Sequence, residues 1–216
     1  MAYSGIDDEL VDDINNLDAK CLDFINTKML TITVVSSLIK RKNVDVIIKG
    51  LAKLKNRDFF VRIIGDGEEK IYLQQLVSDY SLENNIKFLG DIKRKEVFNY
   101  LKKSSVFILL SENETFGLSY LEAMAAMNIV IGARNDGIDG ILKHGENTFL
   151  ISRSEDELCE CIEKILEMNK DELESMYLNI KSTIKSLRQS DAAKNYLKNL
   201  QYICLFYNIV LTDKEE

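Results

Sequence analysis

Two carboxylates, Glu114 and Glu122, flank Gly117 in the stretch Ser111-Glu-Asn-Glu-Thr-Phe-Gly-Leu-Ser-Tyr-Leu-Glu-Ala-Met-Ala that ends at Ala125. The apolar run Val106–Leu110 just before it reads as a buried strand, and Leu118–Met127 reads as a helix. A loop carrying Glu114 therefore leads through Gly117 into a helix start. The free backbone N–H groups around Phe116, Gly117 and Leu118 suit an anion such as a phosphate. Gly117 has no side chain to block close approach. Glu122 lies on the first turns of that helix and can face the same cleft. One carboxylate in such a cleft can hydrogen-bond sugar hydroxyls while the other holds a ribose.

These residues need a scaffold, and the chain alternates strands and helices. Strands are predicted at Met29–Val35, Phe59–Ile64, Ile86–Leu89, Val106–Leu110 and Ile129–Gly132. Between them, Val44–Leu54, Glu68–Tyr80, Glu96–Leu101 and Leu118–Met127 read as amphipathic helices, followed by Glu155–Met168 and further helical segments. Near-continuous apolar strands alternating with helices imply an α/β fold, a Rossmann-like parallel sheet with helices on both faces, plus C-terminal helices. Ligands on such sheets bind where the βα loops gather, here 36–43, 65–68, 90–95, 111–117 and 133–140. Asp191–Leu211 reads as a final helix with an apolar stripe at Tyr196, Leu200, Ile203 and Tyr207.

Bulk properties exclude several classes. The 216 residues are 46% hydrophobic and 29% charged, the balance of a folded domain, and carry a net charge of −7. That balance disfavours a nucleic-acid binder, although the runs Lys40–Lys42 and Lys93-Arg94-Lys95 could hold a small anion. The cysteines at 21, 159, 161 and 204 show no disulfide framework, so a reduced, cytoplasmic setting is expected. Cys159 and Cys161 diverge by about 200° on a helix, which speaks against a shared metal. The N-terminal residues Met1 to Glu9 do not read as a signal peptide, and no apolar run suits a membrane span. The chain contains no proline.

The Ser111–Ala125 string resembles the S-x-x-E-x-F-G-(x)4-E-A-M-A signature of family 4 retaining glycosyltransferases, which have the GT-B architecture. Weaker matches follow the family in order: Ser4-Gly-Ile-Asp7, Ile63-Ile-Gly-Asp-Gly67, Phe88-Leu-Gly-Asp-Ile92, and Gly137-Ile138 through Gly145-Glu-Asn-Thr-Phe-Leu150. By that resemblance Glu114 contacts the transferred sugar and Glu122 the nucleotide ribose. The amides of Phe116, Gly117 and Leu118 hold the diphosphate, and the backbone at Gly90 faces the base. Lys42 falls on the family's phosphate-gripping lysine, with no metal and no cofactor beyond a UDP-, GDP- or ADP-sugar substrate. Residues 1–28 become a domain-entry segment and 29–188 the donor-binding domain. Residues 189–216 become a helix that crosses to an N-terminal acceptor-binding domain, expected to be missing from this chain. The implied role is the donor half of a sugar transferase for polysaccharide or glycoconjugate synthesis, with a full-length protein that can lie peripheral to a membrane.

The pattern breaks in places. Ser37 occupies the position of the family's arginine, and a serine cannot replace a bidentate, charged phosphate ligand. Lys40 and Arg41 are candidates to compensate. Met127 and Ile129 stand where the family has Gly and Pro, and Asp139 and Gly140 where it has Pro and Glu. These losses keep open an alternative, a catalytically degenerate GT-B domain acting as a binding or scaffolding module. His144, the only histidine, reads as a surface loop residue.

Overall fold

The computed structural model describes residues 7–12, 14, 18–113, 117–135 and 142–187. Six strands form one parallel sheet: β1 (Leu30–Val35), β2 (Phe59–Ile64), β3 (Ile86–Gly90), β4 (Val106–Leu109), β5 (Ile129–Ala133) and β6 (Phe149–Ile151), in the order β3-β2-β1-β4-β5-β6. The register pairs Leu30 with Phe59, Ile32 with Val106, Val106 with Ile129 and Ile131 with Phe149. β4, β5 and β6 are buried at every position, as strands covered on both faces must be.

The helices are α1 (Asp8–Asp12), α2 (Asp18–Thr27), α3 (Val44–Ala52), α4 (Lys70–Asp79), α5 (Arg94–Leu101), α6 (Leu118–Ala125), α7 (Glu155–Glu167) and α8 (Lys170–Ser186). α3 lies between α4 and α7 on one face, while α6 lies between α5 and α8 on the other, with α1 against α6 and α2 against α8. The crossing of α3 and α7 is close: a Cβ on Gly50 would stand 2.9 Å from Leu158 Cδ2. α7 starts at Ser154, whose hydroxyl accepts from Glu157 N, and α8 starts with a reciprocal capping box between Asn169 and Glu172.

The five predicted strands and four crossover helices form within a few residues of their expected bounds. β6, α1 and α2 do not appear in the sequence reading. β6 has three residues, too few for a periodic signal, and its sheet position comes from pairing with β5. In α2 the buried residues Cys21, Phe24 and Ile25 sit at helical spacing and join the main core with Val11 and Ile14. Met127 adopts φ 55, so the second residue after α6 needs a left-handed backbone that glycine reaches without strain. The expected final helix at 191–211 lies outside the described residues.

Two long-range features fix the helices and loops. Lys20 Nζ donates to Leu101 O at 3.1 Å and Ala126 O at 2.5 Å, capping the carboxyl ends of α5 and α6 from α2. At the sheet's carboxyl edge, Gly65 (φ +131) and Gly67 let the β2–α4 loop lie on the loop after β1. A Cβ on Gly65 would stand 2.0 Å from Ser36 O, and one on Gly67 2.4 Å from Leu38 O.

Gly65→Ala is expected to cost about 4 kcal/mol, since it meets backbone as well as a forbidden φ. Gly90→Ala, at φ +70 with no atom within 4 Å of the added carbon, should cost about 1 kcal/mol; urea unfolding distinguishes the two.

Burial also pulls the Lys20 amine down to about 7 from its ordinary 10.5. Above pH 7 the unfolded chain then holds the extra proton, so this group's contribution to stability rises with pH. Neighbouring Cys21 is pushed up to about 11 by burial and opposes this only above its ordinary 9.0. Relative to Lys20→Met, the wild-type chain should therefore gain about 2 kcal/mol between pH 7 and pH 9 in urea titrations.

Candidate functional site

The strand order reverses between β1 and β4, and the loops leaving those two strands part on opposite faces of the sheet. The crevice at that point is where the site residues gather. On the β1 side, Ser36 N donates to Ile64 O at 3.0 Å, Leu38 N to Asp66 O at 2.9 Å, and Glu69 N to Leu38 O at 2.9 Å. Gly65 N donates to Gly90 O at 2.9 Å, which adds the end of β3 to the same edge. Asp66 is held by Gly67 N at 2.8 Å and by Lys70, and the Lys70 hydrogen bond keeps its carboxyl below the usual range.

The β4 side joins this edge directly. Glu112 N donates to Arg41 O at 2.7 Å, and Arg41 Nη1 returns to Glu112 O at 3.4 Å. Asn43, between the 3₁₀ turn Lys40–Lys42 and α3, adopts φ 52 and donates from Nδ2 to Leu110 O at 2.8 Å. From the β6–α7 loop, Arg153 Nε and Nη2 both reach Ser111 O, at 2.9 and 2.6 Å. The loops of β2, β1 and β4 thus form one hydrogen-bonded rim with the end of β3, and the loop of β6 braces it.

α6 opens on that rim. Gly117 is buried at φ 56 and ψ 40, and Tyr120 N donates to its carbonyl at 2.8 Å. The Tyr120 hydroxyl donates to Leu109 O at 2.6 Å, and its ring meets Phe107 edge-on at 6.0 Å. Helix α6 is therefore tied to the end of β4, with its N-terminus at the carboxyl edge of the sheet. One and a half turns along, Glu122 is 16% exposed, and its Oε1 accepts from Arg94 Nε at 2.9 Å and Nη2 at 2.5 Å.

Of the residues named from sequence, Gly117, Leu118, Glu122, Ser37, Lys42 and Gly90 all lie on elements that meet at this edge. Leu118 is partly exposed and Ser37 exposed, while Lys42 is buried within the 3₁₀ turn. Glu114 and Phe116 lie outside the described residues. Arg41, a candidate to compensate for Ser37, sits at the junction of the β1 and β4 loops. His144 is exposed as expected, with Nδ1 accepting from Leu150 N at 3.0 Å. Asn43, Arg94 and Arg153 escape sequence reasoning: Arg94 and Arg153 act on partners 28 and 42 positions away, and the Lys93-Arg94-Lys95 run reads as an anion holder instead of a carboxylate partner. The hydroxyl oxygens of Ser36 and Ser111 are buried beside the crevice strands without a hydrogen-bond partner among the described residues.

A family model for glycosyl transferases group 1 matches residues 23–183 of this chain. The chain belongs to that family. It is similar to N-acetyl-alpha-D-glucosaminyl L-malate synthase of Bacillus anthracis, 37% identical over 117 residues, covering 54% of this chain and 30% of that protein. Among solved structures it is similar to Anabaena Alr3699/HepE in complex with UDP, with a TM-score of 0.77 and 23% identity over 93% of this chain and 57% of that one. It is also similar to the C-terminal domain of a group 1 glycosyl transferase, LpcC, from Francisella tularensis, with a TM-score of 0.69 and 20% identity over 84% of this chain and 97% of that one. At those identities the likeness of the two structures is one of fold. As a group 1 glycosyl transferase the chain spans less than a third of the Bacillus relative. No helix among the described residues is long and apolar enough to cross a membrane.

Asn43 carries two separable contributions at this site. Asn43→Gly keeps the left-handed backbone and loses only the side-chain bonds, the strong one to Leu110 O and the longer one to Arg41 O, an expected cost of about 1 kcal/mol. Asn43→Val loses both contributions and should cost about 3 kcal/mol in urea unfolding.

Proposed function

We propose that this chain is the donor-binding C-terminal domain of a family 4 retaining glycosyltransferase of GT-B architecture. It binds a nucleotide diphosphate sugar, whose sugar is transferred with retention of configuration in polysaccharide or glycoconjugate synthesis. The observation that carries this reading is the crevice at the β1/β4 reversal, with Gly117 opening α6 onto the rim and Glu122 on the helix that leaves it. The solved structures of Anabaena HepE with UDP and with UDP-glucose support a nucleoside diphosphate ligand.

In this reading the amides at 116–118 take the diphosphate, with positive charge from Lys42. Such preorganised donors stabilise the leaving group as negative charge develops on it. Glu114 hydrogen-bonds the transferred sugar and Glu122 the ribose, while the backbone at Gly90 and Ser37 lines the base and phosphate sides. Residues 29–188 form the donor domain, residues 1–28 lead into it, and residues 189–216 lead towards an acceptor-binding domain. The acceptor is bound outside the present residues, in a cytoplasmic full-length assembly that can lie peripheral to a membrane. Closure of the two domains excludes water and aligns the acceptor, so the chain by itself turns over no substrate.

Calorimetric titration of the chain with UDP, GDP and ADP is expected to show binding to at least one, with Kd between about 10 μM and 1 mM. Glu114→Gln should leave the affinity for the bare diphosphate within about twofold and abolish the gain from the attached sugar. No binding of any of the three at millimolar concentration refutes the donor reading.

A further inference from the structure

Glu122 is a half-buried carboxylate with its two oxygens in different situations. Oε1 accepts both Nε–H and Nη2–H of Arg94, and Oε2 accepts nothing from the described residues. Arg94 is the first residue of α5, four positions after Gly90 at the end of β3, and its side chain is 77% exposed. The pair bridges the start of α5, just past the β3 edge of the rim, to α6.

An exposed ion pair contributes little to stability. Its geometry has a different consequence. Two N–H groups from one planar guanidinium converge on Oε1 and pin that oxygen, so Oε2 is confined by the pinned Oε1 and the side chain that carries it; a lysine ammonium offers no such fork. With Oε1 occupied on the α5 side, the acceptor left for a ligand is Oε2. An oxygen held in place before binding accepts from a hydroxyl without losing side-chain freedom at that moment. A ligand bearing a vicinal diol gains most from such a site, because a carboxylate oxygen has lone pairs for both hydroxyls.

Resting on the donor-site reading above, we propose that Arg94 is a positioning residue for nucleotide recognition: it holds Glu122 so that Oε2 selects a ribose over a deoxygenated sugar. Arg94 itself touches no ligand atom. It also lies on the same rim as Ser37, where the family's arginine is absent, but its hydrogen bonds commit it to Glu122 and not to the diphosphate.

The test compares UDP, ADP and GDP with their 2′,3′-dideoxy counterparts by calorimetry on the 216-residue chain. The wild-type chain is expected to prefer the ribose form by about tenfold or more, the scale of a hydrogen bond to a charged acceptor. Arg94→Met should reduce that preference to within about threefold while leaving affinity for the dideoxy compound and the urea midpoint unchanged, and Arg94→Lys should recover it in part. Glu122→Gln should lower the preference equally, with no further loss in the double variant. An undiminished preference in Arg94→Met, or tighter ribose binding in it, overturns the assignment of Arg94 while the donor reading stands. Absence of all nucleotide binding by the wild-type chain overturns both.

Discussion

The constraint on which this molecule depends is the order in which its parallel strands add. From β1 the sheet grows outward through β2 and β3, then returns to grow the other way through β4, β5 and β6. The loops after β1 and β4 consequently leave for opposite faces, and the carboxyl edge between them cannot be filled by either crossover. That opening exists for topological reasons, before any side chain is chosen. What the sequence adds is a way of holding the loops around it still. Gly65 and Gly67 allow backbone to lie directly on backbone at Ser36 and Leu38, and Asn43 and Arg41 extend the same contacts to the end of β4.

Positioning α6 on that edge uses a separate set of interactions. Tyr120 is fully buried, and its hydroxyl finds the carbonyl of Leu109. A buried phenol without a partner would be costly, so this bond specifies the seating of the helix as well as its depth. The far ends of α5 and α6 are gathered by one amine, Lys20, whose partners lie 81 and 106 positions later in the chain. The start of α5 is bridged to the middle of α6 by Arg94 and Glu122. The α5–α6 pair is thereby tied at two places by side chains with partners remote in sequence.

Much of the scaffold was legible in the residues. Runs such as Phe59–Ile64 and Val106–Leu110 are too apolar for any place but a sheet covered on both faces, and their alternation with amphipathic segments leaves little choice of fold class. Gly117 before a helix, and the two glutamates around it, pointed to the crevice that the strand order creates. The residues that brace the rim were not legible. Lys93-Arg94-Lys95 read as a run able to hold an anion, and neither Arg153 nor β6 carried a signal of its own. None has a local pattern, because each acquires its role from a partner brought close by the sheet.

The sequence by itself therefore determined the class of fold, the strands and their crossover helices, and it singled out the stretch around Gly117 as the candidate site. These follow from periodicity, apolar runs and glycine, all properties of neighbouring residues. The tertiary structure alone decided the strand order, the meeting of the β1 and β4 loops, the left-handed turn at Asn43 and the pairing of Arg94 with Glu122. Those depend on distances across the sheet edge, and a linear pattern contains no term for two side chains separated by 28 positions that fold to within a hydrogen bond.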